Sequence, residues 1–184
     1  MKSNIRYLCD AAMIAAIYAV LNVVFMPVSF GPVQCRVSEA LTVLPAFLPS
    51  AVPGVAIGCL IANILGGAIL PDIIFGTLAT LIAALATRAL TKPLQSEMYR
   101  THRANLRFRL LAVLPPVISN TLIVPFVLKY AYGYGDALYF IMFTVCIGEL
   151  IAAACLGNIL ISAASRMPLF AELGSKEITY SREL

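Results

Sequence analysis

Charge is the scarcest property of this chain. Only 12% of its 184 residues are charged, against roughly 25% in an ordinary soluble domain. A chain so poor in charge cannot cover a globule with a water-facing surface, which excludes an ordinary soluble enzyme or binding module. Histidine is almost absent as well. His102 stands alone in a basic stretch with no cysteine or acid cluster beside it, so it reads as a surface residue and not as a metal ligand. The five cysteines, Cys9, Cys35, Cys59, Cys146 and Cys155, are odd in number and show no C-x-x-C spacing. Neither a disulfide framework nor a metal site is indicated, and they are expected to pack as small apolar residues. There is no H-E-x-x-H, no G-x-S-x-G, no Walker motif, and no Ser or Cys paired with a histidine in an apolar run. These absences leave no constellation for catalysis. Internal repeats and low-complexity tracts are also missing.

What is present is apolar. Hydrophobic residues make up 61% of the chain, and its mean hydropathy is +0.92. The basic residues fall in three polar stretches: Lys2 and Arg6; Arg88, Lys92, Arg100, Arg103, Arg107 and Arg109; Arg166, Lys176 and Arg182. Only Arg36 and Lys129 lie elsewhere. This is the charge map of a multi-span membrane protein whose basic stretches face the cytoplasm. They are expected to act as topology signals and to meet lipid headgroups, with no nucleic acid as a partner. The length accommodates about six helices of ~20 residues and leaves no room for a separate soluble domain, so residues 1–184 read as one membrane domain. The apolar run from Ala11 to Met26 lacks the polar flank and small-residue cleavage site of a signal peptide and is expected to remain as the first span.

The expected fold is all-α and integral to the membrane, with six transmembrane helices and both termini in the cytoplasm. The helices are placed at about 10–26, 38–48, 52–65, 71–90, 108–130 and 137–165, with a cytoplasmic loop at 91–107, helical only in part, and a cytoplasmic tail at 166–184. Pro71 and Asp72 suit a helix start, through the fixed φ of proline and the interaction of the acid with the helix dipole. The second and third segments are short, about 16 and 21 Å as α-helices against a hydrocarbon core of ~30 Å. They must nevertheless count as two passes or a re-entrant pair. A single kinked span would put the basic middle stretch on the side opposite the basic N-terminus.

Polar residues inside the apolar runs mark the candidate site. Glu149 lies about 12 residues, or ~18 Å, into the sixth helix, at a depth where an ionisable group is costly and usually functional. A structural bond to a neighbouring helix is the alternative. Asn120 follows Pro115 and Pro116, which free the carbonyls of Leu111 and Ala112, and such broken backbone is tolerated where it lines a cavity or is covered by protein. Asn63 carries the same two readings. Arg36 and Glu39, three residues apart, could pair with each other or clamp a polar ligand, with Ser38 as an N-cap. Asp72 is a weaker candidate, explained by the helix start alone. The alanines of the first helix form a strip of small residues four apart, Ala11, Ala15 and Ala19 or Ala12 and Ala16. Such a strip admits a close helix, either an internal neighbour or a separate subunit. Without a nucleotide site, six short spans suggest a binding and translocation subunit that draws its energy from elsewhere.

The stretch GPVQCRVSEALTVLP, followed by GCLIANILGG, DIIFGTLATLIAAL, the P-x-x-x-N-T-L-I-V-P of the fifth helix and the IGE of the sixth, resembles the QueT family. These are substrate-binding S components of energy-coupling factor (ECF) transporters assigned to queuosine precursors. The resemblance implies a bacterial cell-membrane protein with a six-helix fold and a ligand near the outer face. It implies partnership with a T component and two ATPase subunits that use ATP, and no cofactor on this chain. It further implies that the alanine strip docks on the T component. Proteins similar to QueT also include cobalamin S components, so the ligand is a queuine-type base or cobalamin. A guanine-like edge offers adjacent N–H donors to one carboxylate and an aminomethyl group suits a second acid, needs that Glu149 and Glu39 could meet. Tyr130, Tyr132, Tyr134 or Tyr139 could stack on a flat base.

Overall fold

The computed structural model describes residues 2–29 and 36–167. Cys35, Lys176 and Arg182, with most of the expected tail, lie outside the described residues. Within them all regular structure is helical. The main helices are α1 (Lys2–Val24), α2 (Val37–Ala46), α3 (Ala51–Leu65), α4 (Leu70–Thr91), α5 (Leu106–Tyr130) and α6 (Leu138–Arg166). Single-turn Met26–Ser29 follows α1, and Lys92–Leu94 and Gln95–Thr101 occupy part of the basic connection. Helix α1 starts at Lys2 and not near Asp10, because its polar first turns are helical too.

Four helical stretches, Asn4–Val24, Leu70–Thr101, Leu106–Tyr130 and Leu138–Arg166, are long and apolar enough to cross a membrane. Helices α2 and α3, at 10 and 15 residues, are shorter. The outer faces carry exposed Ile57, Ile61, Ile82, Leu114, Ile118 and Phe143, an apolar surface that lipid accepts and water does not.

Helix α2 departs from the expected α-helix. It is wound as a 3₁₀-helix with Pro45 inside it. At a rise near 2.0 Å its ten residues reach about 20 Å, where an α-helix would reach about 15 Å. That reach joins the two ends of the molecule. At one end Arg36 meets Asp72 at the start of α4. At the other, Gln95 Nε2 donates to the Ala46 carbonyl at 2.5 Å, Tyr99 Oη to that of Phe47 at 3.0 Å and Arg88 to that of Pro45 at 3.5 Å. Carbonyls that a helix end leaves open are thereby satisfied by the last turn of α4 and the basic connection. Ser38 lies within the helix and caps nothing, since Arg36 occupies the cap position. Around this thin central rod α1, α3, α4, α5 and α6 follow one another as neighbours, and each touches α2.

Two glycines of α3 set the spacing to α1. A Cβ at Gly54 would come within 3.0 Å of the Ala11 carbonyl, and one at Gly58 within 2.9 Å of the Ala15 carbonyl and 2.7 Å of Tyr18 Cβ. Ala11, Ala15 and Ala19 are therefore buried against the body of the molecule, while Ala12 and Ala16 face outward. Of the two registers, Ala11, Ala15 and Ala19 thus lie in an internal helix contact. Replacing Gly58 with Ala should lower stability by about 1–3 kcal/mol, because backbone and not a flexible side chain stands in the way. Unfolding in detergent measures this, and a native-like midpoint would show that Gly58 does not fix the α1–α3 distance.

Helix α3 ends in a Schellman motif. Gly67 at φ +70 supplies the left-handed residue, and Ala68 N–H reaches back to Asn63 O at 3.0 Å. One proline break in α5 is repaired from α4: the Ala112 carbonyl freed by Pro116 accepts a hydrogen bond from Thr87 Oγ1 at 3.3 Å. In the opposite direction Ser119 Oγ of α5 donates to Ala79 O of α4 at 2.8 Å. Helix α6 changes winding just past Glu149. Leu150–Leu156 form a π-helical segment rich in alanine, after which Gly157 lies so close to α2 that a Cβ would be 2.9 Å from Val43 Cγ1.

Candidate ligand site

Polar side chains from every main helix converge on one buried region at the end away from the basic connection. Tyr18 comes from α1, Arg36 and Glu39 from the start of α2, and Asn63 from α3. Asp72 comes from α4, Asn120 from α5 and Glu149 from α6. None exceeds 5% exposure. Their geometry follows the winding just described, since the elongated α2 carries Arg36 and Glu39 to the level of α4's first turn.

Asn120 Nδ2 donates to Glu149 Oε1 at 2.9 Å, and the same amide faces Glu39. Glu39 Oε1 accepts from Tyr18 Oη at 2.5 Å. Arg36 pairs with Asp72 at 3.7 Å. Asn63 Nδ2, Asp72 Oδ1 and Arg36 Nη1 approach the open face of Gly76, lying 3.2, 3.4 and 3.9 Å from where a Cβ would sit. Gly76 is thus the bare patch of helix that admits this polar group. Below it Cys59 does more than pack, because its sulfur accepts weak bonds from Thr80 at 3.3 Å and Asn63 at 3.6 Å.

Several buried polar atoms have no partner: Glu39 Oε2, Glu149 Oε2, Asp72 Oδ1, Asn63 Oδ1, Ser38 Oγ and both side-chain atoms of Asn22. Orphaned groups in an apolar interior are costly unless something satisfies them. Beside them is a cavity lined by Arg36, Asn120, Val124, Val145 and Glu149, with about 10 Å³ open to water centres. That is room for about one water.

The loop between α5 and α6 packs beside this cavity. Tyr132 Oη donates to Asp72 Oδ2 at 3.1 Å and accepts from Ile69 N at 3.3 Å. Partial burial, reinforced by the nearby Asp72 charge, pushes the Tyr132 phenol up, so it remains a donor. Tyr134 packs on Val124, Leu128, Ile141 and Val145 and meets Tyr132 edge-on at 6.3 Å. Gly133, at φ +71, makes the reversal between them.

Of the sequence-derived candidates, Arg36, Glu39, Asn63, Asn120 and Glu149 come together. Tyr130 does not. It is 73% exposed and stacks on Phe126 beside an apolar groove, because α5 ends there with this side chain on its outward face. Tyr139 is exposed as well. Two members were missed by sequence reasoning. Asp72 was explained away as a helix-start acid, and Tyr18 passed as one more residue of an apolar run.

Comparison with known proteins now bears on this site. Residues 8–166 match the QueT transporter family. The chain belongs to the QueT transporter family. The queuosine precursor transporter QueT of Lactococcus lactis subsp. cremoris (strain MG1363) is 36% identical over 83 residues, which is 44% of this chain and 48% of that protein. The alignment spans about half the length of that relative. No solved structure matches significantly. Family and long apolar helices together make this QueT-family chain a multi-pass membrane protein of a transporter family.

Proposed function

We propose that this chain is the substrate-binding S component of an ECF importer in the bacterial cell membrane, and that its ligand is a queuosine precursor, queuine or a related 7-deazaguanine. The buried Asn120–Glu149 pair carries this proposal. A deazaguanine edge presents adjacent N–H donors beside a carbonyl. Glu149 Oε2, which has no partner, accepts from the donors while the Asn120 amide donates to the carbonyl. Tyr132 and Tyr134 replace Tyr130 as the aromatic surfaces for the base. The ligand enters when the loop bearing Tyr132 lifts from Asp72 and the cavity enlarges. The name of the Lactococcus relative supports the same substrate class. Cobalamin, far larger and without such an edge, suits this narrow, acid-lined cavity poorly.

In this proposal α2 and α3 are two short passes, so six passes leave both termini and the basic connection in the cytoplasm. The 3₁₀ winding of α2 supports that count by lengthening the shortest pass. The T component docks on the outward register of α1, Ala12 and Ala16, and two ATPase subunits supply the energy from ATP. The chain itself binds no cofactor and performs no covalent chemistry.

Reconstitution tests the assignment. Queuine uptake into proteoliposomes should require the T component, both ATPases and ATP. Uptake by this chain alone, indifferent to ATP, would make it an independent secondary transporter instead. Ala16→Leu should reduce recovery of the T component with this chain several-fold and leave deazaguanine affinity unchanged, since a close helix contact has no space for the added volume. Loss of ligand binding to the same degree would place Ala16 in the internal packing.

A further inference from the structure

The charges around the cavity do not balance, and the imbalance has a direction. One guanidinium, Arg36, shares the buried region with three carboxylates, Glu39, Asp72 and Glu149. Arg36 pairs with Asp72 at 3.7 Å and also lines the cavity beside Glu149, so its single charge is shared among the three acids. Two carboxylates, Glu149 in the cavity wall and Glu39 in the same buried region, then lack a full countercharge. Each has one oxygen engaged by a neutral donor, Tyr18 for Glu39 and Asn120 for Glu149, and one oxygen without a partner. Lys129, the nearest basic residue on α5, is directed elsewhere, donating to the Asp136 carbonyl at an exposed position. A buried carboxylate needs either a proton or a cation.

We propose that the site selects a cationic ligand over a neutral one of the same shape, and that Asp72 sets this selectivity as a positioning residue by taking up Arg36 charge that would otherwise compensate Glu39 and Glu149. This rests on the deazaguanine assignment above and adds the charge of the ligand to it. Glu149 reads the base edge. Glu39, held by Tyr18, faces the ammonium of a ligand that carries an aminomethyl arm. Without the Asp72 carboxylate, the Arg36 charge falls to the two glutamates and supplies part of the positive charge that the ligand would have brought.

Two ligands with one base edge separate these effects. Titrate the purified full-length chain with 7-aminomethyl-7-deazaguanine, which is cationic, and with 7-cyano-7-deazaguanine, which is neutral. The amine should bind about ten- to a hundred-fold more tightly, the range of a charge-assisted hydrogen bond. In Asp72→Asn the ratio should fall toward one, chiefly by loss of amine affinity, a change that general loosening of the fold would not produce. Equal or tighter binding of the nitrile by the native protein overturns the charge selection and leaves the deazaguanine assignment standing. The native comparison needs no variant, so it decides the matter even if Asp72→Asn does not fold. A ratio unchanged in folded Asp72→Asn overturns the role of Asp72. Binding of neither compound overturns the deazaguanine assignment and the selectivity with it.

Discussion

Glu149→Gln should weaken 7-deazaguanine binding by roughly ten- to a hundred-fold. The amide keeps the shape of the side chain but turns one acceptor into a donor, and it now stands between two sets of donors. On one side is the Asn120 amide, which donates to Glu149 Oε1 at 2.9 Å. On the other, in the proposed complex, are the N–H groups of the base. Whichever way the glutamine amide is oriented, one of these meets a like group, and a charge-assisted bond becomes a neutral one at best. Calorimetric titration of native and variant protein measures the loss, with the thermal midpoint of the empty protein as a check that the variant is folded. Unchanged affinity in a folded variant would take Glu149 out of the site and leave it as a helix-to-helix tether.

A second large effect is expected from Arg36→Met. Breaking a buried ion pair by removing one partner costs about 3–5 kcal/mol, because the remaining charge is left uncompensated. Here the loss falls on Asp72, at 3.7 Å and fully buried, and on the carboxylates nearby. The methionine fills similar volume, so packing alone is little changed. Adding Asp72→Asn to the same protein should restore much of the lost stability, since it removes the stranded charge. Equilibrium unfolding in mixed micelles of the native protein, the single variant and the double variant gives the comparison. A single variant as stable as the native protein, or a double variant no better than the single one, would mean that the pair does not act as a unit.

The sequence carried the helix order because hydropathy and proline position bear directly on it: Pro71 and the Gly-rich AYGYGD loop mark breaks that the backbone obeys, whereas Pro27 lies inside a short helical turn after α1 has ended at Val24. It carried most of the buried polar cluster for a related reason. Glu149, Asn120 and Glu39 are polar groups in apolar runs, and a low-dielectric interior tolerates few such groups without a purpose. What stayed hidden depended on three-dimensional partners. Asp72 has a sufficient local explanation at its helix start, and only the approach of Arg36 gives it a second role. Which register of alanines turns inward is decided by Gly54 and Gly58 on another helix, so spacing along α1 could not choose between Ala15 and Ala16. Windings were equally invisible. Nothing in VSEALTVLPA distinguishes a 3₁₀-helix from an α-helix until the distance it must bridge is known. Tyr130 was misjudged because four tyrosines within ten residues look alike in a string, whereas the end of α5 and the turn at Gly133 direct them differently.

The central position of α2 governs which lengths of chain this protein can tolerate. A helix at the rim of a bundle absorbs an added or deleted residue by rotating, at the expense of a face that touched only lipid. No residue from Val37 to Ala46 is exposed, so α2 has no spare face to rotate outward. One inserted residue would turn everything beyond it by about 120° and push it about 2 Å along the axis. Val43 would lose its place against Gly157, and the carbonyls at Ala46 and Phe47 would miss Gln95 and Tyr99. Homologous proteins of this fold should therefore vary in length at the rim loops while keeping the count from Arg36 to Phe47 constant.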